Sequence, residues 1–251
     1  MPPILDRRVL FTGFAALLTA PTAGLAQPPA APAGLFTVTW RANLTPAQRT
    51  ALEAWVGRLQ AEAAKWWPTI TAALASPGYT PVKTIPLDIT SIVPKTIPAA
   101  TRNGHILVDG AYVLAQIDNF DRLAMVGHEM VHVAQAYPLH ATPWLSEGIA
   151  DYLRYYLFAP QDPCRAFDPA STDWWRGYQP TAGFLDFIER KSPGTVKAAN
   201  ADLRAGGDGI DILKQRGGAP LTKLWQAYLD TGPRAGTLEA VRACQRALGG
   251  A

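Results

Sequence analysis

Two histidines and a glutamate near the middle of the chain are spaced as metal ligands and a general base. The segment His128-Glu129-Met130-Val131-His132 has the pattern HExxH, which on a helix places both imidazoles on one face, one turn apart. Both can therefore reach one metal ion, and Glu129 can accept a proton from a water bound to that ion. The surrounding residues are mostly apolar, so burying the three polar groups costs free energy unless a partner such as zinc satisfies them.

A catalytic zinc site needs a third protein ligand and leaves its fourth position to water. Glu147 follows the motif, after Pro138 and Pro143, which break the chain and let a second helix fold back beside the first. Asp151 lies one helical turn beyond Glu147, so we predict that it accepts the free ring N–H of a ligand histidine. The predicted zinc ligands are His128, His132 and Glu147.

The same residues have an alternative interpretation without a metal. In it, the motif histidines are core residues that pair with Glu147 and Asp151. The two other histidines of the chain are weaker candidates. His105 is expected to be an ordinary surface or sheet residue, and His140 a loop residue at the rim, although it could substitute as a ligand or as a transition-state donor.

The elements around the motif predict an α+β domain, with a small N-terminal sheet followed by a mostly helical half. The predicted strands are 36–40, 83–93 and 104–115, the last with Gly110 as a bulge or turn. Thr45 and Pro46 predict the start of a helix that reaches about residue 66. The other predicted helices are 122–137, 143–158, 181–191, 210–216, 220–230 and 237–248.

Composition restricts the class of protein. Of the 251 residues, 48% are hydrophobic and 17% are charged, which is typical of a globular chain. The net charge of +3 is small and the basic residues are scattered, so a nucleic-acid partner is not expected.

The N-terminus predicts export. Arg7 and Arg8 precede an apolar run, 9–20, and small residues end at Ala26, the pattern of a cleaved signal peptide. The run is too short to span a bilayer, so no membrane insertion is expected after cleavage. We therefore expect a periplasmic or extracellular protein, with Sec and twin-arginine export both open. The predicted organisation is a signal peptide at 1–26, a Pro/Ala-rich linker at 27–35 and one catalytic domain at 36–251.

Export also bears on Cys164 and Cys244, the two cysteines of the chain. An oxidising compartment permits a disulfide between them. The even count allows this pairing without establishing it.

Four blocks of sequence resemble the plant-type basic secretory proteins, which are secreted zincin-like metallopeptidases. They are GHEMVHVAQ at 127–135, WLSEGIADYLRYY at 144–156, WWRGYQPTAGFLDFI at 174–188 and LTKLWQAYL at 221–229. The spacing of Glu147 and Asp151 after HExxH also resembles the glutamate-type zincins. The resemblance implies a zincin-like fold and an edge strand, here 104–113, that binds extended substrate by strand addition.

The same resemblance nominates Tyr178 as a donor to the oxyanion of the transition state, with simple packing as the alternative. Ala134, Gly183 and the weak net charge depart from the family pattern and could alter substrate choice. The leading hypothesis is a secreted zinc-dependent peptidase that acts on peptides or proteins. The alternatives are a zinc hydrolase for a non-protein amide of the cell envelope and a non-catalytic, zinc-containing binding protein.

Overall fold

The computed structural model describes residues 34–92, 97–138, 141–168 and 172–231. The predicted signal peptide, most of the predicted linker and the predicted helix at 237–248 lie outside these ranges, as do His140 and Cys244. Within them, one long helix lies between the first two strands and the other helices follow the last strand, so the predicted α+β class is confirmed.

A four-stranded sheet forms the N-terminal half. Its strands are β1 (Phe36–Trp40), β2 (Ile85–Thr90), β3 (Ala99–Arg102) and β4 (His105–Asp109), in the spatial order β1-β2-β4-β3. The first three strands in that order are parallel, and β3 pairs antiparallel with β4 at the edge. Asn103 and Gly104 connect β3 to β4 with φ of 51° and 75°, as a tight two-residue hairpin requires.

The strand prediction for 104–115 was right only for its first half. The strand ends at Asp109, and Gly110–Ala115 forms a short helix, α2, because the Asp109 side chain accepts a hydrogen bond from Tyr112 N and caps the helix. The prediction that 104–113 forms an edge strand was also wrong, because β4 lies inside the sheet. The edge next to it is formed by β3, a strand that was not predicted from the sequence. The strand predicted at 83–93 is shorter and spans Ile85–Thr90.

Helix α1, Pro46–Ala73, is longer than predicted. Thr45 caps it as expected, in a capping box in which Gln48 reaches back to the Thr45 N–H. The helix continues through Pro68, whose missing N–H costs it one backbone hydrogen bond. Burial of Trp66, Trp67 and Ile70 in the core holds this last stretch in helical conformation.

The helical half contains the two helices predicted to carry the site. Helix α3 is Asp121–Gln135, and α4 is Pro143–Tyr152, which continues into a π-helical turn at Leu153–Phe158. The later helices are α5 (Tyr178–Lys191), α6 (Thr195–Arg204), α7 (Ile210–Gly217) and α8 (Leu221–Asp230). Of these, α6 was not predicted.

One apolar core joins the two halves. It extends from Leu87 in the sheet through Trp55 of α1 and Val131 of α3 to Tyr228 of α8, all of them buried. Helix α3 therefore packs against the sheet and α1 as well as against α4. None of the helices in the described ranges has the length and hydropathy that crossing a bilayer requires.

Candidate metal centre and cleft

Helix α3 carries the HExxH motif through the middle of the protein. Its residues are almost all buried, including His128 and Glu129, because the apolar side chains around the motif pack on several sides. The helix ends after His132 where Ala136 adopts a left-handed conformation, with φ of 46°, and donates its N–H to His132 O. Pro138 follows two residues later, as predicted for the end of this helix.

His128, His132 and Glu147 converge on one point. The two Nε2 atoms are 3.0 Å apart, and Glu147 Oε2 lies 3.1 Å from Nε2 of His128 and 3.4 Å from Nε2 of His132. Glu147 comes from α4, whose first turn begins at Pro143. The packing of α4 beside α3 therefore supplies the third member of this group.

The outer ring nitrogens of both histidines are held by oxygen acceptors. His128 Nδ1 lies 2.7 Å from Asp151 Oδ1, and His132 Nδ1 lies 2.7 Å from Gln135 Oε1. Gln135 is fixed in turn by Ser146, since its amide nitrogen donates to Ser146 O and Ser146 Oγ donates to Gln135 Oε1. This network assigns a proton to each Nδ1, so each neutral ring directs its Nε2 lone pair toward Glu147.

This donor set fits a metal ion. Two bare imidazole nitrogens and a carboxylate oxygen are all acceptors, and three acceptors in contact repel one another unless a cation or a proton lies between them. Two histidines and one carboxylate also form the donor set of a catalytic zinc site. Two groups of side chains in the described ranges could hold a metal ion, and this one combines ligands from α3 and α4.

The electrostatics of the group favour a positive charge at the same point. Burial disfavours the His128 imidazolium, but the carboxylates of Asp151, Glu147 and Glu129 together outweigh burial and raise the pKa of His128 to about 10. Burial also disfavours the charged form of Glu147, yet when protons rather than a cation occupy the Nε2 atoms, hydrogen bonds from His128 and His132 hold the pKa of its carboxyl well below the usual range. A proton and a metal ion therefore compete for this centre.

Glu129 lies beside the ligand cluster and is held by the sheet. It is only 9% exposed, and Thr101 Oγ1 of β3 donates to its carboxylate Oε2 at 2.8 Å. Thr101 could not be found from the sequence, because nothing in the short segment Ala99–Arg102 indicates a strand or its packing against α3.

Tyr178 stands at the open side of the centre. Its ring is stacked with that of His128, with centroids 6.1 Å apart, and half of the residue is exposed. Its φ of 47° is unusual for a residue other than glycine, and such strained conformations cluster at active sites. Partial burial, and then the charge of Glu147, raise the pKa of the Tyr178 hydroxyl, so the hydroxyl keeps its proton at neutral pH and can donate a hydrogen bond.

A cleft of about 1030 Å³ opens over these residues. One wall is the edge strand β3 with the hairpin to β4, and the floor is α3. Apolar residues line much of the remainder: Val82, Pro86, Ile97, Met125, Val133 and Tyr137. His105 is exposed and lines the cleft at the hairpin, away from the cluster of ligand atoms.

A comparison with known families now assigns the chain. The sequence profile of the BSP family, described as "Peptidase of plants and bacteria", matches residues 100–228, just over half of the 251 residues. The chain belongs to this family. No curated protein and no solved structure matches it.

The region that matches the BSP family contains the whole centre. It begins at β3 with Thr101, includes α3 and α4, and reaches Tyr178 and the helices after it. The resemblance to basic secretory proteins is thereby confirmed, and the chain belongs to a family described as peptidases.

Two departures from the family pattern lie away from the cleft. Ala134 is fully buried in α3, and a Cβ on Gly183 would lie 2.4 Å from the hydroxyl of Tyr228. Neither residue lines the cleft. The contact with Tyr228 explains a glycine at 183 as a requirement of packing between α5 and α8.

A second buried group in this BSP chain combines Asp121, Asp162 and Cys164. Two guanidinium groups already neutralise the two carboxylates, because Arg154, in the π-helical turn, binds both of them and Arg122 binds Asp121. The group therefore ties the start of α3 to the segment after α4. Cys164 is disulfide-bonded, and its predicted partner, Cys244, is the other cysteine of the sequence and lies outside the described residues.

Proposed function

We propose that this BSP chain is a zinc-dependent metallopeptidase with a zincin-like fold. The observation that carries the proposal is the convergence of two bare Nε2 atoms and the Glu147 carboxylate beside Glu129, at the floor of a cleft bordered by a sheet edge. His128, His132 and Glu147 would hold the zinc. When bound, zinc supplies Lewis acidity to a peptide carbonyl and to water.

Glu129 would act as the general base. Its carboxylate lies next to the ligand cluster in the cleft wall and can accept a proton from the water that attacks the peptide carbonyl. It can then return that proton to the leaving amine. Tyr178, whose hydroxyl remains protonated at neutral pH, would donate a hydrogen bond to the carbonyl oxygen as negative charge develops on it.

The substrate would bind as an extended chain along β3. Strand addition needs an unpaired sheet edge next to the reacting groups, and β3 is the edge strand that lines the cleft. This role replaces the one expected for 104–113, whose strand β4 is paired on both sides. We further propose that the protein acts after export, in the periplasm or outside the cell.

The test compares the purified protein with the Glu129→Gln variant on unfolded protein and on peptide substrates. We expect zinc-dependent cleavage by the wild type and a loss of kcat of at least about 10²-fold in the variant. Zinc content, measured by elemental mass spectrometry, should remain about one per chain in both, because Glu129 is not a ligand.

Two results would reject the proposal. One is equal cleavage by the variant, and the other is absence of zinc from folded wild type that has been supplied with it. Cleavage of cell-envelope amides but not of peptides would favour the non-peptide hydrolase, and zinc without any hydrolysis the binding protein.

A further inference from the structure

Thr101 is the contact between the edge strand and the proposed general base. Its hydroxyl lies 2.8 Å from Glu129 Oε2 and 3.0 Å from the Glu129 carbonyl oxygen. A hydroxyl has one hydrogen to donate, and the charged carboxylate is the stronger acceptor. The bond engages one carboxylate oxygen and limits rotation of the Glu129 side chain.

The backbone N–H and C=O groups of Thr101 point away from the neighbouring strand, β4. In an antiparallel pair, residues alternate between those bonded to the partner strand and those whose N–H and C=O point away from it. The two-residue hairpin makes Arg102 and His105 a bonded pair, and Asp109 N donates to Pro98 O four positions further along. By this alternation, the backbone groups of Ala99 and Thr101 point to the free edge.

One residue therefore joins two parts of the site. The backbone N–H and C=O of Thr101 are offered where a substrate strand would pair, and its side chain holds Glu129. We propose that Thr101 is a positioning residue that couples docking of the substrate strand on β3 to the orientation of the Glu129 carboxylate. This inference rests on the proposed peptidase function.

The coupling has a simple physical basis. A base must lie within hydrogen-bond reach of the proton that it accepts, and an error of about 1 Å in such a placement is costly. With Oε2 bonded to Thr101, the second carboxylate oxygen is available to the attacking water. In this proposal β3 also aligns the peptide. The same strand therefore positions both the general base and the scissile bond.

The experiment measures kcat and KM for Thr101→Val, which keeps the shape of the side chain but removes the hydroxyl. We expect kcat to fall about tenfold or more, as for loss of a hydrogen bond to a charged group, and KM to change less than about threefold, because the backbone edge is unchanged. Thr101→Ser should retain kcat within about threefold of the wild type, because it keeps the hydroxyl. Thr101→Ala provides a second deletion of the hydroxyl if the valine variant folds poorly.

Thr37→Val is the matched control, since Thr37 is exposed on β1 at the opposite edge of the sheet. It should leave kcat and KM unchanged. Zinc content and thermal unfolding are measured for every variant to separate positioning from misfolding.

Failure of this inference differs from failure of the proposed function. If the wild type cleaves peptides and Glu129→Gln does not, but folded Thr101→Val or Thr101→Ala keeps full kcat, the role of Thr101 is rejected. A loss of kcat that serine does not restore also rejects it. If the wild type cleaves no peptide, the proposed function fails, and the positioning role fails with it.

Discussion

At the scale of single residues, the centre depends on the acceptors behind the two histidines. Asp151 holds His128 and Gln135 holds His132, so each imidazole presents its Nε2 atom to the same point. The two acceptors differ in charge. Asp151 strengthens the attraction of His128 for a cation, whereas Gln135 fixes His132 without adding charge.

Gln135 provides the first prediction. Gln135→Leu removes the acceptor of the His132 Nδ1–H, so the ring loses its fixed orientation and zinc affinity should fall about 10- to 100-fold. The measurement is competition for zinc against a chromogenic chelator. Gln60→Leu is the control, because Gln60 bonds the backbone of Phe36 in the sheet, and it should bind zinc as the wild type does. Unchanged affinity in Gln135→Leu would show that His132 needs no orienting partner.

Tyr178 provides the second prediction. If its hydroxyl stabilises the oxyanion, Tyr178→Phe should lower kcat about 10²-fold. The ring and its stacking on His128 would remain, so zinc content and thermal stability should not change. Steady-state kinetics with one peptide substrate test this prediction. Wild-type kcat in the phenylalanine variant would support the packing role instead.

The sequence was informative at this scale where chemistry is local. The pattern HExxH and the spacing from Glu147 to Asp151 follow from helical geometry, so the grouping of these residues could be predicted. Thr101 and Gln135 could not be found in the same way. Thr101 reaches the site only through the topology of the sheet, and Gln135 acquires its role from Ser146 on the neighbouring helix.

At the scale of elements, the position of Glu147 depends on close packing of α4 against α5. A Cβ on Gly148 would lie 2.1 Å from Cγ2 of Thr181, which is fully buried. Only a glycine lets the two helices approach this closely. Since Gly148 follows Glu147, this close contact holds the part of α4 that carries Glu147 against α5.

The third prediction compares two glycine-to-alanine changes. Gly148→Ala should destabilise the protein by about 1–3 kcal/mol through overpacking and should weaken zinc binding, because α4 must move. Gly57→Ala should instead stabilise it by up to about 1 kcal/mol, since Gly57 is an exposed helical residue with open space around its Cβ position. Chemical denaturation of both variants gives the two free energies of unfolding. Stabilisation by Gly148→Ala would contradict the packing argument.

The end of α3 is braced by an element that the sequence analysis missed. Arg204 of α6 donates to the carbonyl oxygens of Ala134 and Gln135 and to Leu74 O at the end of α1. These are carbonyls that a helix leaves without internal partners. These hydrogen bonds of Arg204 could not be predicted from the sequence, because they join positions about 70 and 130 residues apart in the chain.

Strand boundaries failed for a related reason. The segment 104–115 is apolar enough to resemble one strand, but the cap supplied by Asp109 converts its second half to helix. That cap also binds Ile92 N across the sheet, so it is stabilised by a contact that no local pattern reveals. The edge strand was therefore assigned to the wrong segment, although its proposed role in binding substrate applies to β3.

At the scale of the whole molecule, the site draws its groups from the sheet edge, from α3, from α4 and from the start of α5. Each group is held by a different part of the core, so the folded state creates the centre and the unfolded chain lacks it. A ligand that binds only the folded state raises the free energy of unfolding by mass action. Stability and zinc occupancy should consequently be linked.

The last prediction follows from this linkage. Zinc at about 100 times its Kd should add about 2.7 kcal/mol to the free energy of unfolding, and a chelator should remove this gain. The carboxylates raise the pKa of His128 to about 10, so zinc displaces a proton at neutral pH and the gain should shrink as the pH falls. Thermal unfolding with and without zinc, at neutral and mildly acidic pH, measures both effects. His132→Ala should show no zinc-dependent shift, because it lacks one ligand. If the melting temperature of the wild type does not change with zinc at any pH, the assignment of a metal ion to this centre is rejected.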